Sequence, residues 1–78
     1  MNQYEQYDVF EKGDSRRLIK EICLYGDPQV IYALYRKDRK WSNQNGHYIE
    51  WLYLREGYCR IDTFERWLKG AKKVVGVG

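Results

Sequence analysis

Residues 47–61, HYIEWLYLREGYCRI, constrain this chain more than any other stretch. Aromatic and long aliphatic residues crowd it, and one Glu-Gly pair interrupts it. The pattern predicts a strand over 47–55, a two-residue turn at Glu56-Gly57 and a second strand over 58–61. Side chains alternate along a strand, which puts Tyr48, Leu52 and Leu54 on one side and Ile49, Trp51 and Tyr53 on the other. Both sides are apolar, so one covers a core and the other needs a separate explanation.

The rest of the chain supplies partners for this hairpin. YEQYDVFE (residues 4–11) reads as an acidic edge strand ended by Lys12-Gly13. Asp14-Ser15 reads as a helix N-cap, followed by Leu18, Ile19, Ile22, Cys23 and Tyr25 at helical spacing. Gly26 then reads as the helix stop, with Asp27-Pro28 beyond it, giving a first helix over 15–25. VIYALYRK (30–37) reads as a strand and DRKWSNQNG (38–46) as a polar loop. A two-residue turn at Asn45-Gly46 would pair 47–55 with 36–44 and leave 30–35 unpartnered in that hairpin. Asp62, with Glu65 three residues on, reads as a capping box for a second helix with Phe64, Trp67 and Leu68 as its apolar face and Gly70 as its stop. Residues 71–78 read as a loose tail whose valines are able to add a short strand. The expected fold is one 78-residue α+β domain: a three- to four-stranded antiparallel sheet with two helices on one face, in the order β-α-β-β-β-α.

Pairing the strands through these turns sorts the two faces. Val30, Tyr32, Leu34, Leu52, Leu54, Cys59 and Ile61 form an almost wholly aliphatic face, assigned to the core, with Glu50 as its misfit near Arg36. Ile31, Ala33, Tyr35, Lys37, Ile49, Trp51, Tyr53, Arg55, Tyr58 and Arg60 form the other, with aromatic and cationic groups and no carboxylate. Rings beside Lys and Arg on an open sheet suit single-stranded nucleic acid, because bases stack on the rings while phosphates meet the cations.

Charge points the same way. The formal net charge is +3, yet residues 1–14 hold four acids against one Lys, so the body of the domain is the basic part. A basic body favours an anionic partner. Arg16, Arg17 and Lys20 crowd the start of the expected first helix, where they would oppose its macrodipole and flank a phosphate or carboxylate site. Arg39 and Lys40 lie in the densest basic run, RKDRKW, where a long loop would carry them along a backbone.

Other chemistries find little support. His47, Cys23 and Cys59 fall short of the four ligands of a structural zinc site, so no metal is expected. His47 and Glu50 lie three apart on a strand and point to opposite faces, so no acid–base pair and no enzyme activity are expected. Each of Gly13, Gly26, Gly46, Gly57 and Gly70 falls at an expected turn or helix end, which leaves no phosphate-cradling loop and no expected cofactor. The two cysteines are expected as reduced thiols of a cytoplasmic protein, and no apolar run reaches the length of a membrane span.

By element order alone, α-β-β-β-α from residue 15 resembles a double-stranded-RNA-binding domain. The basic cluster that such a domain carries at its second helix is replaced here by Asp62, Thr63, Phe64 and Glu65. The β-β-β-α part resembles small domains that lay a three-stranded sheet in the DNA major groove. The expected function is a small nucleic-acid-binding module that uses Tyr35, Lys37, Trp51, Tyr53, Arg55, Tyr58 and Arg60, extended by Arg16, Arg17, Arg39 and Lys40. The alternative is a protein-interaction module using the same face, either a homodimer or a small inhibitor of a larger enzyme of the kind viruses and mobile elements encode.

Overall fold

In the computed structural model, which describes residues 4–74, the stretch at 47–60 is extended as expected but does not turn, and Ile61 opens a helix. The extended stretch belongs to one long strand, β4 (Gly46–Arg60). Gly57 lies inside that strand beneath the Tyr32 ring, and a Cβ there would come within 2.9 Å of the ring carbon Cζ. The glycine therefore serves a close approach, the other reason a strand carries one. The real turn is at 43–45, between β3 (Gln29–Ser42) and β4. There Gly46 holds a φ of +69° and the Asn45 amide donates to Ser42 Oγ at 2.9 Å. The polar loop expected over 38–46 is thus mostly strand. A nine-residue loop over 38–46 would place Val30 opposite Leu54 and Leu34 opposite Glu50; in the continuous strand, 30–34 pair instead with 55–59.

The helix expected over 15–25 is also a strand, β2 (Ser15–Cys23), which pairs with both β1 (Val9–Lys12) and β3. A register shift between Ile19 and Glu21 leaves Lys20 unmatched as a β-bulge. The extra residue brings Ile19 and Ile22, three apart, to the same face. That spacing is what imitated a helix. Gly13 and Asp14 form the β1–β2 turn, with Gly13 at φ +60°, and Leu24 and Tyr25 are exposed in the β2–β3 connection. Without a helix at 15–25, the likeness to a double-stranded-RNA-binding domain falls away. The N-terminal strand starts only at Val9, because a turn through Tyr7 (φ +72°) occupies the residues before it. The Tyr7 amide donates to the Ile19 carbonyl at 2.7 Å and fastens that turn to β2.

The expected second helix is present as α1 (Ile61–Leu68), but without its capping box. Arg60 is the N-cap and makes no side-chain cap, and Glu65 instead accepts the Tyr4 hydroxyl at 3.2 Å. Phe64 is fully buried at the centre of the molecule, with ring centroids 5.4 Å from Tyr4, 6.5 Å from Phe10 and 6.4 Å from Tyr32. Ile19 and Val30 complete this core. Beyond α1, β5 (Lys72–Lys73) pairs with β1. Within the segment expected as a tail, residues 75–78 lie outside the described residues.

Among the described residues the architecture is therefore a five-stranded antiparallel sheet, in the order β4-β3-β2-β1-β5, with a single short helix on one face. It is a sheet-rich fold and replaces the expected sheet with two helices. β2 ends its pairing at Ser15 opposite Arg36, so residues 37–51 continue as a two-stranded arm. The arm accounts for overall dimensions of 52 × 23 × 22 Å.

Candidate nucleic-acid interface

Residues opposite one another in an antiparallel ladder share a face, so the register assigns every side chain to one side of the sheet. The face away from α1 carries Ile31, Ala33, Tyr35 and Lys37 from β3 and Ile49, Trp51, Tyr53, Tyr58 and Arg60 from β4, as expected. β1 and β2 extend it with Val9, Glu11, Arg16 and Leu18. Tyr35 and Tyr53 meet edge to face with centroids 5.7 Å apart. The Arg16 guanidinium lies 4.1 Å from the Trp51 ring centroid, and Lys37 Nζ lies 5.5 Å from it. Electrostatic attraction between a cation and a ring face holds all three groups in place. Tyr7, Val9, Arg16, Leu18, Tyr35 and Trp51 line a shallow groove beside them. Reading β2 as a helix hid Val9 and Leu18 from this site, and no sequence signal marks Tyr7.

This face is less uniformly basic than expected. Glu11 lies on it, 3.0 Å from Arg16, and Glu56 bridges to Lys20 at 2.7 Å. That hydrogen bond, with the attraction of the carboxylate, raises the Lys20 pKa. Trp51 is half-buried beside Arg16 and Lys37, whereas Tyr53 is 56% exposed and Tyr58 72%. Of the four rings expected at the site, Tyr53 and Tyr58 are the exposed ones, open to a stacking base.

Three expected site residues, Arg17, Arg55 and Lys40, lie on the α1 side instead. Arg17 faces α1, its guanidinium 4.5 Å from the Tyr32 ring centroid and 4.3 Å from that of Trp67. Arg55 pairs with Leu34 and shares that same α1 side, because a bulge at Leu54 changes the register between Tyr53 and Arg55. Leu54 itself, expected in the core, is 47% exposed. Lys40 lies on the α1 side of the arm, bound to Glu50 at 3.1 Å, and this hydrogen bond raises its pKa. Arg60 stays on the aromatic side but lies 3.5 Å from Asp62. Arg39 is on the aromatic side of the arm and has no carboxylate within 4.0 Å among the described residues.

Cys23 and Cys59 are free thiols on opposite faces, paired in register with Gln29 and Val30, and burial pushes the Cys59 thiol pKa up. Among the described residues no three His, Cys, Asp or Glu come together as a metal-ligand set, and no helix is long and apolar enough to cross a membrane. Compared with known proteins, the chain matches no family, no curated protein and no solved structure.

Proposed function

We propose that this chain is a small nucleic-acid-binding module that engages single strands on the sheet face away from α1. One observation carries the reading: Tyr35, Tyr53 and Trp51 lie together with Arg16 and Lys37 on an open sheet surface that continues into the arm at Arg39. Bases stack on Tyr53 and Tyr58, while Arg16, Lys37 and Arg39 neutralise phosphate. A cytoplasmic setting, where thiols stay reduced, belongs with this reading. Titration with single-stranded DNA and RNA at two salt concentrations tests it. Tryptophan emission is expected to be quenched and affinity to fall steeply with salt. Tyr53→Ala is expected to weaken binding by about 1–3 kcal/mol, the worth of one stacked base. Absence of binding at low salt, or a Tyr53→Ala variant as tight as the parent, overturns it.

A separate observation favours the protein-interaction reading. β4 is an edge strand with no partner on its outer side among the described residues, and it bears the exposed side chains Tyr48, Ile49, Tyr53, Leu54 and Tyr58. A long free edge is a template for another strand, including that of a second copy. Sedimentation at rising concentration distinguishes this reading, since a dimer supports it and a strict monomer with no captured partner removes it.

A further inference from the structure

The described carboxylates are distributed unevenly among the cations. Glu11, Asp14, Glu56, Asp38, Glu50, Asp62 and Asp8 are paired with Arg16, Lys37, Lys20, Lys40, Arg60 and Lys73. Arg39, Arg66, Lys69 and Lys72 have no carboxylate within 4.0 Å among the described residues, and neither do Lys12, Arg17, Arg36 and Arg55. The register brings the latter four to one place. Phe10, Arg17, Leu34 and Arg55 form one row across the α1 face of the sheet; Lys12, Ser15, Arg36 and Leu52 form the next. Each of the strands β1 to β4 therefore contributes one cation, alternating between two neighbouring rows. At about 4.8 Å between strands, the line is roughly 14 Å long and runs perpendicular to them.

Its geometry is partly set in advance. The Arg17 guanidinium lies against the Tyr32 and Trp67 rings, at 4.5 and 4.3 Å from their centroids, and its buried Nε has no hydrogen-bond partner. Lys12 Nζ donates to the Trp67 carbonyl at the end of α1, which places its charge beside Arg17. An Arg stacked on rings has its donors held in position and loses little further freedom on binding an oxyanion. In energetic terms a buried Nε without an acceptor is a cost, so this is not a group placed for stability alone. Arg36 and Arg55 are exposed and complete the line on the arm side.

We propose that Lys12, Arg17, Arg36 and Arg55 form a track for successive phosphate groups of a linear polyanion, on the face opposite the aromatic one. The phosphates come from a nucleic-acid backbone or from an inorganic polyphosphate chain, and one experiment separates these sources. The ¹⁵N-labelled full chain is titrated at low salt with long-chain polyphosphate and, separately, with a 20-nucleotide single-stranded DNA. Both are expected to shift the resonances of Lys12, Arg17, Arg36 and Arg55. Arg17→Met, which leaves an apolar side chain between Tyr32 and Trp67, is expected to lower polyphosphate affinity at least about tenfold. Tyr53→Ala is expected to leave it unchanged. Should Arg17→Met lower the melting temperature enough to confuse the result, the exposed pair Arg36→Gln/Arg55→Gln is expected to give a similar loss and a shallower salt dependence. Polyphosphate binding without DNA binding upholds the track and removes the single-strand reading above. Polyphosphate that leaves these four resonances unmoved, or that binds the Arg36→Gln/Arg55→Gln protein as tightly as the parent, overturns the track.

Discussion

A methyl group at position 57 would sit 2.9 Å from the Tyr32 ring, and Tyr32 is itself buried. Gly57→Ala is therefore expected to destabilise the protein by about 1–3 kcal/mol, the usual cost of overpacking, measured as a fall in melting temperature. Phe64 contacts the core rings from the centre of a thin core, and Phe64→Ala is expected to cost about 3–5 kcal/mol. Tyr4 gives a pH test. Burial, reinforced by the negative charge of Glu65 and its hydrogen bond, pushes the phenol pKa up from 10.0 to about 12. The unfolded chain then loses this proton before the folded one does. The resulting stability is fully present below pH 10 and is lost as pH rises from 10 towards 12. Lys20 and Lys40, also raised, act in the same direction from the surface. Chemical denaturation across that range is expected to show the decline, and Tyr4→Phe to flatten it. Had Tyr4→Phe left the decline unchanged, the phenol would not be its source.

At the scale of elements, β2 is the informative case. Its Leu18, Ile19, Ile22 and Cys23 satisfy a helical spacing, yet the segment pairs on both sides as a strand. Local pattern and tertiary pairing conflict here, and a bulge at Lys20 resolves the conflict by shifting Ile22 to the side of Ile19. A peptide covering residues 14–26 is expected to become helical in trifluoroethanol, while the intact protein gives a strand-dominated circular dichroism spectrum, the eight residues of α1 being the only helix among the described residues. A spectrum dominated by helix in the intact protein would contradict the strand. Deleting Lys20 is expected to remove the bulge yet keep Ile22 opposite Val30 on the side of Ile19, so the protein stays folded, whereas inserting a second residue there is expected to turn Ile22 to the wrong face and destabilise the protein by more than about 2 kcal/mol. The second bulge, at Leu54, carried Arg55 out of the expected aromatic face by the same means.

The whole molecule is longer than its chain length implies. A compact 78-residue domain has a radius of gyration of roughly 11.5 Å, against 14.3 Å here. The β3–β4 arm produces the difference: Arg16 and Asp14 reach Trp51 and Lys37 at its base, and beyond them the two strands have only each other as neighbours in the sheet. An isolated two-stranded ribbon is marginal in water, so fast amide exchange is expected in the arm and slow exchange in β2 and the first half of β3. Uniform protection along β3 and β4 would indicate a covered arm. At this scale the charge also divides: the aromatic face holds mostly paired cations, whereas the line from Lys12 to Arg55 lies on the other side.

Local alternation in 30–37 and 47–53 was enough to assign Tyr35, Lys37, Trp51 and Tyr53 to one face, because side-chain direction in a strand depends only on parity. The apolar spacing of Phe64, Trp67 and Leu68 was likewise enough for α1. Three matters needed the tertiary structure: that 15–23 is a strand, that Glu56-Gly57 continues one, and that Arg17 and Arg55 lie beside α1. Each depends on which strand is the neighbour and on where a bulge inserts one extra residue. A single added residue reverses every later side chain, and only the hydrogen-bonded partner decides where it falls.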